Sequence, residues 1–319
     1  MHELIREVLL KKLGNPILRE LSDSALLPFK DKLAFTTDSF VVSPLFFPGG
    51  DIGKLAVCGT VNDLVMLGAV PEYISLGLII EEGLEICLLE KIIDSISLAA
   101  RAAGVTVATG DLKVVEKGAC DKIFINTSGV GRVINGRSLS LKKISRGDKI
   151  ILTGPCGRHG MAVLAKRKGL DLGFNIKSDC AALNKLLLPV LKNTDAVKFM
   201  RDPTRGGVAT TLNEIAAGAK KGIVIEEDKV PVSSQVRAAG ELLGIDPLYI
   251  ANEGSALLVV KKSAAAKVLK ALKSDPLGHK SAVIGEVTDT HRGRVILKTI
   301  LGTKRIIDML TGEPLPRIC

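Results

Sequence analysis

Residues 37–63, TDSFVVSPLFFPGGDIGKLAVCGTVND, contain a strand, a glycine turn and a helix in succession, and this pattern is the most informative in the chain about its fold. The strand belongs to a β-branched and aromatic run at residues 33–42 and places Asp38 in its middle or near its end. After the turn, a helical pattern runs to about residue 67 and ends at Gly68. Predicted strands and helices alternate through the rest of the chain, which indicates an α/β or α+β fold.

The glycine turn allows two interpretations. Gly49 and Gly50 come just before the helix, so a phosphate cradle built from helix N-terminal amides is one of them, with Lys54 close by. The stretch is not a Walker A loop, because only three residues separate Gly49 from Gly53 and Leu55 follows the lysine. A plain tight turn fits the same residues equally well.

Three aspartates lie in separate predicted elements around this turn. Asp38 is in the strand, Asp63 follows Asn62 in the helix, and Asp111 comes just after a short apolar strand at residues 105–109. Mg²⁺ uses few carboxylates together with substrate phosphates, so this set suits a nucleoside triphosphate. A solvent-facing polar pair on the helix, or a chance spacing of aspartates, are the alternatives.

A polar, basic stretch at residues 135–148, NGRSLSLKKISRGD, is the predicted domain boundary. It separates an N-terminal domain at residues 1–134 from a C-terminal α/β domain at residues 149–312, with a tail at residues 313–319. A helix is expected over residues 178–191 in the second domain.

The second half adds two candidate sites. The string RDPTRGGV at residues 201–208 combines Asp202 and Arg205 with two glycines at a helix start, and indicates either an anion site or a capped turn. Glu253 stands between apolar residues and a glycine, so burial would raise the pKa of its carboxyl group and suit it to act as a base. An exposed turn glutamate is the alternative.

Composition restricts the function classes. The net charge of +10 favours either nucleic acid or an anionic substrate, but aromatic residues are only 3% and Trp is absent, which weakens the nucleic-acid interpretation. The six cysteines and four histidines are scattered, so no zinc site is predicted. With no signal-peptide pattern and no long apolar run, a cytoplasmic protein is expected.

The chain closes on EPLPRIC at residues 313–319. Its two prolines favour an extended tail, and its last residue, Cys319, carries a thiol. A terminal cysteine is either an idle thiol on a frayed end or a reactive group that a mobile arm can present to a pocket.

Taken together, these strings closely resemble the HypE proteins of [NiFe]-hydrogenase maturation, carbamoyl dehydratases of the PurM-like ATP-binding superfamily. The matching strings are residues 37–63, TGDLKVV (109–115), SDCA (178–181), RDPTRGGV (201–208), LGIDPLYIANEG (243–254) and EPLPRIC (313–319). They run in order through nearly the whole chain, and the cysteine-terminated tail distinguishes this family from other users of the fold.

The resemblance implies a two-domain PurM-like ATP-binding fold, with mixed sheets covered by helices and an extended C-terminal tail. It implies a homodimer formed through the N-terminal domain. The implied activity is ATP-dependent dehydration of a carbamoyl group on Cys319 to S-cyanocysteine, with the carbamoyltransferase HypF as donor and a HypC–HypD complex as cyanide acceptor.

The resemblance also assigns residues by position. It implies that Asp38, Asp63 and Asp111 bind Mg²⁺ and the ATP phosphates. Further ATP-binding positions are Gly49, Gly50, Lys54, Asn62, Asp202 and Arg205. The implied catalytic residues are Cys319 as carrier, Glu253 as base and Lys113 as support for the transferred groups, with His159 lining the pocket.

Two positions depart from the family pattern. Its early Gly-rich and acidic segment is represented here by Asp23 alone, and Leu112 stands where Thr usually follows Gly-Asp. Two other functions remain as alternatives: a PurM-like enzyme that phosphorylates a small molecule, and a nucleic-acid binder.

Overall fold

Two β-sheets, one in each half of the chain, organise the protein. The computed structural model describes residues 10–15, 32–170, 175–310 and 317–319. Its helices are α1 (Leu10–Leu13), α2 (Ile52–Met66), α3 (Ile86–Ala103), α4 (Arg158–Arg167), α5 (Asn184–Asn193), α6 (Gly207–Ala219), α7 (Ser234–Leu243) and α8 (Ala265–Lys273). Its first strands are β1 (Leu33–Phe40), β2 (Phe46–Phe47), β3 (Gly50–Asp51), β4 (Ala69–Glu81), β5 (Thr106–Val115) and β6 (Ile123–Val133). The later strands are β7 (Lys149–Leu152), β8 (Val197–Arg201), β9 (Gly222–Glu226), β10 (Leu257–Val260), β11 (Ala282–Thr288), β12 (Val295–Lys298) and β13 (Lys304–Ile307).

The N-terminal sheet has the strand order β1-β6-β4-β5. Strands β4 and β5 are parallel and are joined through α3, whereas β6 pairs antiparallel with β1 and β4. In β4, every second side chain is buried (Ile74, Leu76, Leu78 and Ile80), as expected for a sheet with one covered face.

Helix α2 lies between the two halves of the molecule. It packs on α3 and the N-terminal sheet on one side and on α5 and β8 of the second half on the other. Nearly all of its side chains are therefore buried, which explains why its sequence is apolar on almost every face.

The C-terminal sheet has seven strands in the order β13-β12-β9-β11-β7-β10-β8. Strand β10 is fully buried between β7 and β8 and reads as the continuous apolar run LLVV. One apolar cluster spans both halves: it joins Ile92 and Val57 of the first half to Leu187, Met200 and Ile318 of the second. The sequence-based expectation of a mixed α/β fold is confirmed.

Two sequence-based expectations need correction. Strand β5 continues through Asp111 instead of ending before it, because residues 109–115 keep pairing with β4. Residues 178–183 are irregular, and the predicted helix begins only at α5. The predicted domain boundary at residues 135–148 stays a prediction; its last residue, the buried Asp148, pairs with Lys198 of β8 at 2.7 Å.

Some expectations fall outside the described residues. These are Asp23 and the two prolines of the tail. Among the helices that the structure describes, none is long and apolar enough to cross a membrane.

Candidate functional site

Four carboxyl groups from both halves of the chain converge at the junction between the sheets. Asp38 projects from β1 towards Gly59 of α2, where an added Cβ would lie 3.7 Å from its Oδ2. Asp63 lies on α2, Asp202 directly follows β8, and Glu253 lies in the loop before β10. The structure thus brings together four of the predicted acidic residues, called the acidic group below: Asp38, Asp63, Asp202 and Glu253.

Burial raises the pKa of every member of this group, and repulsion from acidic neighbours adds to it for Asp38, Asp202 and Glu253. Burial is the main cause for Asp38 and Asp63, and the charge of Asp63 adds to the effect on Asp38. The pKa of Asp202 is raised to about 7 by burial and then by Asp63 and Asp38. Asp202 is surrounded by protein atoms but remains partly exposed to solvent, so it lies in a cleft and not in the closed core.

Glu253 is the most enclosed of the four, with only 3% of its surface exposed. Burial raises the pKa of its carboxyl group well above the usual range, and Asp202, Asp179 and Asp38 raise it further. A carboxyl group in this state holds its proton at neutral pH more readily than a free glutamate and is a stronger base once deprotonated. The exposed-turn alternative is therefore excluded.

The glycine turn has the structure of a tight turn. Strands β2 and β3 form a two-stranded hairpin that includes Gly50, and Gly49 adopts a positive φ of 97°. The first amides of α2 are not open to a ligand, because the carboxylate of Asp51 accepts hydrogen bonds from Gly53 N at 2.8 Å and Lys54 N at 3.2 Å. The cation at this turn is the ammonium group of Lys54. It donates a hydrogen bond to Gly49 O at 2.9 Å.

Asp111 lies apart from the acidic group within one chain. Strand pairing puts Asp38 in line with Thr127, Leu76 and Gly110, the neighbour of Asp111. Three strand spacings separate the two edges, or about 14 Å. Asp111 is exposed and forms a salt bridge with Lys113 at 2.7 Å, which lowers the pKa of its carboxyl group.

Leu112 lies between these two exposed residues but faces the other way. Its side chain is 5% exposed and belongs to the apolar core. A threonine at this position would direct its hydroxyl group into that core rather than towards the exposed side chains of Asp111 and Lys113. The departure from the family pattern at Leu112 therefore leaves the exposed surface of β5 unchanged.

Asn62 is buried, and its side-chain amide connects the two halves. Its Nδ2 donates to the carbonyl oxygens of Ala181 at 3.1 Å and Glu253 at 3.3 Å. Its Oδ1 accepts a hydrogen bond from Leu183 N at 2.8 Å. These bonds explain why residues 178–183 are not helical: their backbone groups pair with other segments. The solvent-face alternative for Asn62 is wrong.

Arg205 lies at the start of α6 and is exposed. Its positive charge acts on Asp38, lowering the pKa of that carboxyl group against the effect of burial. Helix α6 begins at Gly207 with Gly206 in the left-handed conformation and no side-chain cap. This end of the molecule therefore offers a cation and a helix N-terminus beside the acidic group.

The last three residues of the chain are docked in the same region. Val41 N donates to Cys319 O at 3.2 Å and Ser43 N donates to Arg317 O at 3.3 Å, so the tail runs beside residues 41–43 in the manner of an added strand. Ile318 is buried in the shared core, and the thiol-bearing Cys319 is half-buried against it.

His159 holds the tail from the other half of the molecule. Its ring is fully buried at the start of α4, with Nε2 2.9 Å from Ile318 O and Nδ1 2.8 Å from Ser178 Oγ. Because a carbonyl oxygen only accepts, Nε2 carries the proton in this pairing. Burial lowers the pKa of the imidazole, so the ring is neutral and Nδ1 accepts from Ser178.

Arginines reinforce the same contacts. Arg167 donates from Nε to Ser43 O at 2.7 Å and from Nη2 to Arg317 O at 2.5 Å. Arg317 donates from Nε to Val41 O at 2.9 Å and pairs with Asp121 at 2.9 Å. The frayed-end interpretation of the terminal cysteine does not fit residues that are held this closely.

No group of three side chains from His, Cys, Asp and Glu forms a metal-binding cluster within the described part of the chain. The acidic group nevertheless fits Mg²⁺, which binds through one or two carboxylates and completes its shell with water and phosphate oxygens. Asp38 and Asp63 supply oxygen donors, and because burial raises the pKa of both carboxyl groups, a nearby cation would favour their charged forms.

Sequence reasoning missed several residues that build the site. Asp179 and Ser178 fall within the helix predicted at residues 178–191, and Arg167 and Asp51 carry no recognisable pattern. The string SDCA was a signal for the first two, since serine and aspartate ahead of a helix favour turns and caps. Cys58 and Cys180, whose thiols are hydrogen-bonded and lie near Glu253, had no such signal.

Comparison with known proteins agrees with this geometry. Residues 21–133 match the family described as AIR synthase related protein, N-terminal domain, and residues 145–298 match the corresponding C-terminal domain. The chain is 46% identical to the carbamoyl dehydratase HypE of Rhodobacter capsulatus, over 100% of this chain and 95% of that protein.

Solved structures give the same result. A crystal structure of the hydrogenase maturation protein HypE in complex with ATP is 45% identical and superposes with a TM-score of 0.97, covering 100% of this chain and 96% of that one. The HypE chain of a HypE–HypF complex is 48% identical, with a TM-score of 0.85 and coverage of 96% and 99%. By sequence, domain composition and fold, this chain belongs to the HypE family of carbamoyl dehydratases.

Proposed function

We propose that this protein uses ATP to dehydrate a carbamoyl group carried on the Cys319 thiol, giving S-cyanocysteine, ADP and phosphate. The observation that carries the proposal is the docked tail. Residues 317–319 are held between residues 41–43 and His159, at the junction where the carboxyl groups of both halves converge. The histidine that holds this thiol-bearing tail bonds to Ser178, next to Asp179, whose carboxylate accepts from Glu253 N. A tail of this kind suits a covalently carried substrate.

The reaction needs the carbamoyl oxygen to leave, and hydroxide is a poor leaving group. Transfer of the γ-phosphoryl group of ATP to that oxygen converts it into phosphate, with loss of one proton from the nitrogen. Breaking the carbon–oxygen bond and removing the second nitrogen proton then leaves a nitrile on sulfur. Glu253 is the proposed acceptor of a nitrogen proton, because burial and its acidic neighbours make it a strong base once it is deprotonated.

The cationic and acidic groups have separate proposed roles. Mg²⁺, held by Asp38 and Asp63, would neutralise charge on the transferred phosphoryl group. Lys54 and Arg205 are the proposed phosphate-binding cations, supported by the action of their charges on Cys180 and Asp38, and Asp202 is proposed to border the same cleft. Asn62 acts on Glu253 through the backbone, because its amide is fully engaged there.

Asp111 and Lys113 reach the same nucleotide only if a second copy of the chain takes part. Strands β1 and β5 are the two edges of the N-terminal sheet, and the open face of that sheet exposes Phe35 by 68%. A homodimer that covers this face and brings the β5 edge of one copy towards the β1 edge of the other would unite Asp111 with Asp38.

The proposed partners follow from the covalent cycle. A carbamoyltransferase of the HypF type would load Cys319, and a HypC–HypD complex would accept the cyanide. Because Cys319 has to visit both and return, the contacts at His159 and residues 41–43 have to break and re-form in each cycle.

The test is the intact mass of the protein after its tail has been carbamoylated by a HypF-type enzyme. Incubation with Mg-ATP should lower the mass by one water, and Cys319→Ala should abolish both the loading and the loss. Cys87→Ala is the matched control, since Cys87 is an exposed thiol far along the chain from the tail. An unchanged mass in the loaded wild-type protein would overturn the proposal.

Phosphorylation of a free small molecule by the same fold is the second candidate, and it predicts ATP turnover that survives deletion of residues 314–319. The docking of residues 317–319 favours the first candidate, because a kinase for a free substrate has no use for a tail in this position.

A further inference from the structure

The carboxylate of Asp179 is the anchor of the loop that carries Glu253. Its Oδ1 accepts a hydrogen bond from Glu253 N at 3.2 Å. Its Oδ2 accepts from Gly254 N at 3.2 Å, Ser255 Oγ at 3.1 Å and Asn252 Nδ2 at 3.1 Å. One side chain therefore gathers donors from four consecutive residues, an arrangement that fixes a loop more firmly than any single bond.

Close packing holds the same loop from the backbone side. A Cβ atom on Gly254 would lie 1.7 Å from Asp179 O, so only glycine permits this approach. Asn252 is fully buried and ties the loop further, by donating to Pro155 O at 2.9 Å and accepting from Gly157 N at 3.0 Å. The backbone of Glu253 consequently has a single position relative to Asp179.

Asp179 also belongs to the segment that touches the tail contacts. Its neighbour Ser178 bonds to His159, which holds Ile318 O. Ser178 N donates to Pro48 O at 2.8 Å, beside the glycine turn. One short irregular segment thus contacts the base loop, the tail support and the turn before α2.

Several charged or titratable groups face Glu253. They are Asp202 after β8, Asp38 on β1, Asp179 itself, Cys58 on α2 and Cys180 next to Asp179. Asp179 is the one among them that also bonds to the Glu253 backbone. It therefore affects both where the base sits and the charge around it.

We propose that Asp179 is a positioning residue for the dehydration: its carboxylate fixes residues 252–255 and keeps a negative charge beside Glu253. The proposal rests on the role proposed above for Glu253. It assigns no contact between Asp179 and the substrate.

Three variants separate position from charge. Asp179→Asn keeps the size of the side chain but removes its charge and turns an amide group towards the donors of the loop. Asp179→Glu keeps the charge but displaces it by one methylene. Ser255→Ala removes one of the four hydrogen bonds and leaves the carboxylate in place.

The measurement is the single-turnover rate of water loss from carbamoylated Cys319 as a function of pH, with nucleotide binding measured in parallel. For Asp179→Asn we expect a rate of water loss at least about ten-fold lower than that of the wild-type protein. We also expect the ascending limb of its pH–rate profile to move to lower pH, because one negative charge beside the base is gone. For Asp179→Glu we expect a lower rate with the limb unmoved, and for Ser255→Ala a smaller loss of the same kind. ATP binding should be retained in all three.

Asp148→Asn is the matched control, because Asp148 is also a buried carboxylate that accepts a backbone hydrogen bond, from Ser145 N at 2.7 Å, but contacts none of the site residues. Asp148→Asn should leave the ascending limb of the pH–rate profile at the wild-type position. The proposal is overturned if Asp179→Asn keeps the wild-type rate, or if its rate falls with an unmoved limb, as a purely structural role would require. Absence of water loss in the wild-type protein would instead overturn the proposed function itself.

Discussion

At the scale of single residues, the site depends on carboxyl groups whose charged forms are disfavoured by burial, which raises their pKa values. Asp202 is the clearest case, because burial and the nearby Asp63 and Asp38 raise its pKa from 3.8 to about 7. The folded protein therefore binds the Asp202 proton more tightly than the unfolded chain does. Stability is highest below the unfolded pKa and falls as the pH rises towards 7.

Replacing Asp202 by Asn should reduce this pH dependence. The wild-type protein is expected to lose stability between about pH 4 and pH 7, by up to ~4 kcal/mol from Asp202 alone, because the unfolded carboxyl group ionises before the folded one. Asp202→Asn should lose less over the same range, with Asp38, Asp63 and Glu253 accounting for the remainder. Urea unfolding at a series of pH values measures the free energy of unfolding of both proteins and hence the difference in their pH dependence.

Asp289→Asn provides the comparison for this experiment. Asp289 is exposed, and its pKa is lowered by its hydrogen bond to Lys221, so its stabilising effect is lost as the pH falls rather than as it rises. Equal pH slopes for Asp202→Asn and the wild-type protein would contradict the prediction.

At the scale of elements, the decisive feature is an irregular segment where a helix was expected. Residues 178–183 give their backbone groups to Pro48, Asn62 and Glu253 instead of to one another. The tail is a second irregular element, and it pairs with residues 41–43 while His159 binds Ile318 O. Both elements are specified by partners far away in the sequence.

Replacing His159 by Ala should free the tail. The variant loses the hydrogen bond to Ile318 O and leaves Ser178 Oγ without its ring partner, so the docked state becomes less favourable by about 1–3 kcal/mol. Alkylation of Cys319 at fixed pH, followed by peptide mapping, should become several-fold faster.

His279→Ala is the control for the tail experiment, because His279 is exposed and its ring bonds to the nearby Pro276 O. Its alkylation rate should match the wild-type rate. If His159→Ala also matches the wild-type rate, the histidine does not hold the tail.

At the scale of the whole molecule, the two halves share one core and one site. Asn62 on α2 bonds to three backbone groups of the second half, and α2 itself is buried between the two sheets. The acidic group likewise takes Asp38 and Asp63 from the first half and Asp202 and Glu253 from the second. The halves are therefore expected to unfold together.

Replacing Asn62 by Ala should weaken this coupling. Three buried backbone groups lose their partner, which we expect to cost about 2–4 kcal/mol and to separate the unfolding of the two halves. Asn213→Ala is the control, since Asn213 is a buried asparagine whose bonds, to Ala209 O and Ile307 O, stay within the second half. It should be destabilised but keep one transition, as followed by calorimetry. A single transition for Asn62→Ala with unchanged cooperativity would contradict the expectation.

Much of this molecule could be predicted from local sequence alone. The strand at Asp38, helices α2 and α3 and the strands of the second half follow from periodicity, β-branched runs and glycine stops, since these depend on near neighbours in the chain. The ordered strings also identified the family, whereas the apolar neighbours of Glu253 left two alternatives, a buried base and an exposed turn residue, of which the structure shows the first.

Which of the predicted residues lie close together depends on the packing of the two halves. Asp38 and Asp63 join Asp202 and Glu253, whereas Asp111 lies on the opposite edge of the sheet and Gly50 belongs to a hairpin. The sequence determined the residue types and their order, because those reflect local propensity and chemistry. The docked tail, the irregular segment at residues 178–183 and the anchor at Asp179 arise from hydrogen bonds between distant residues, and such pairings are set when the two halves pack.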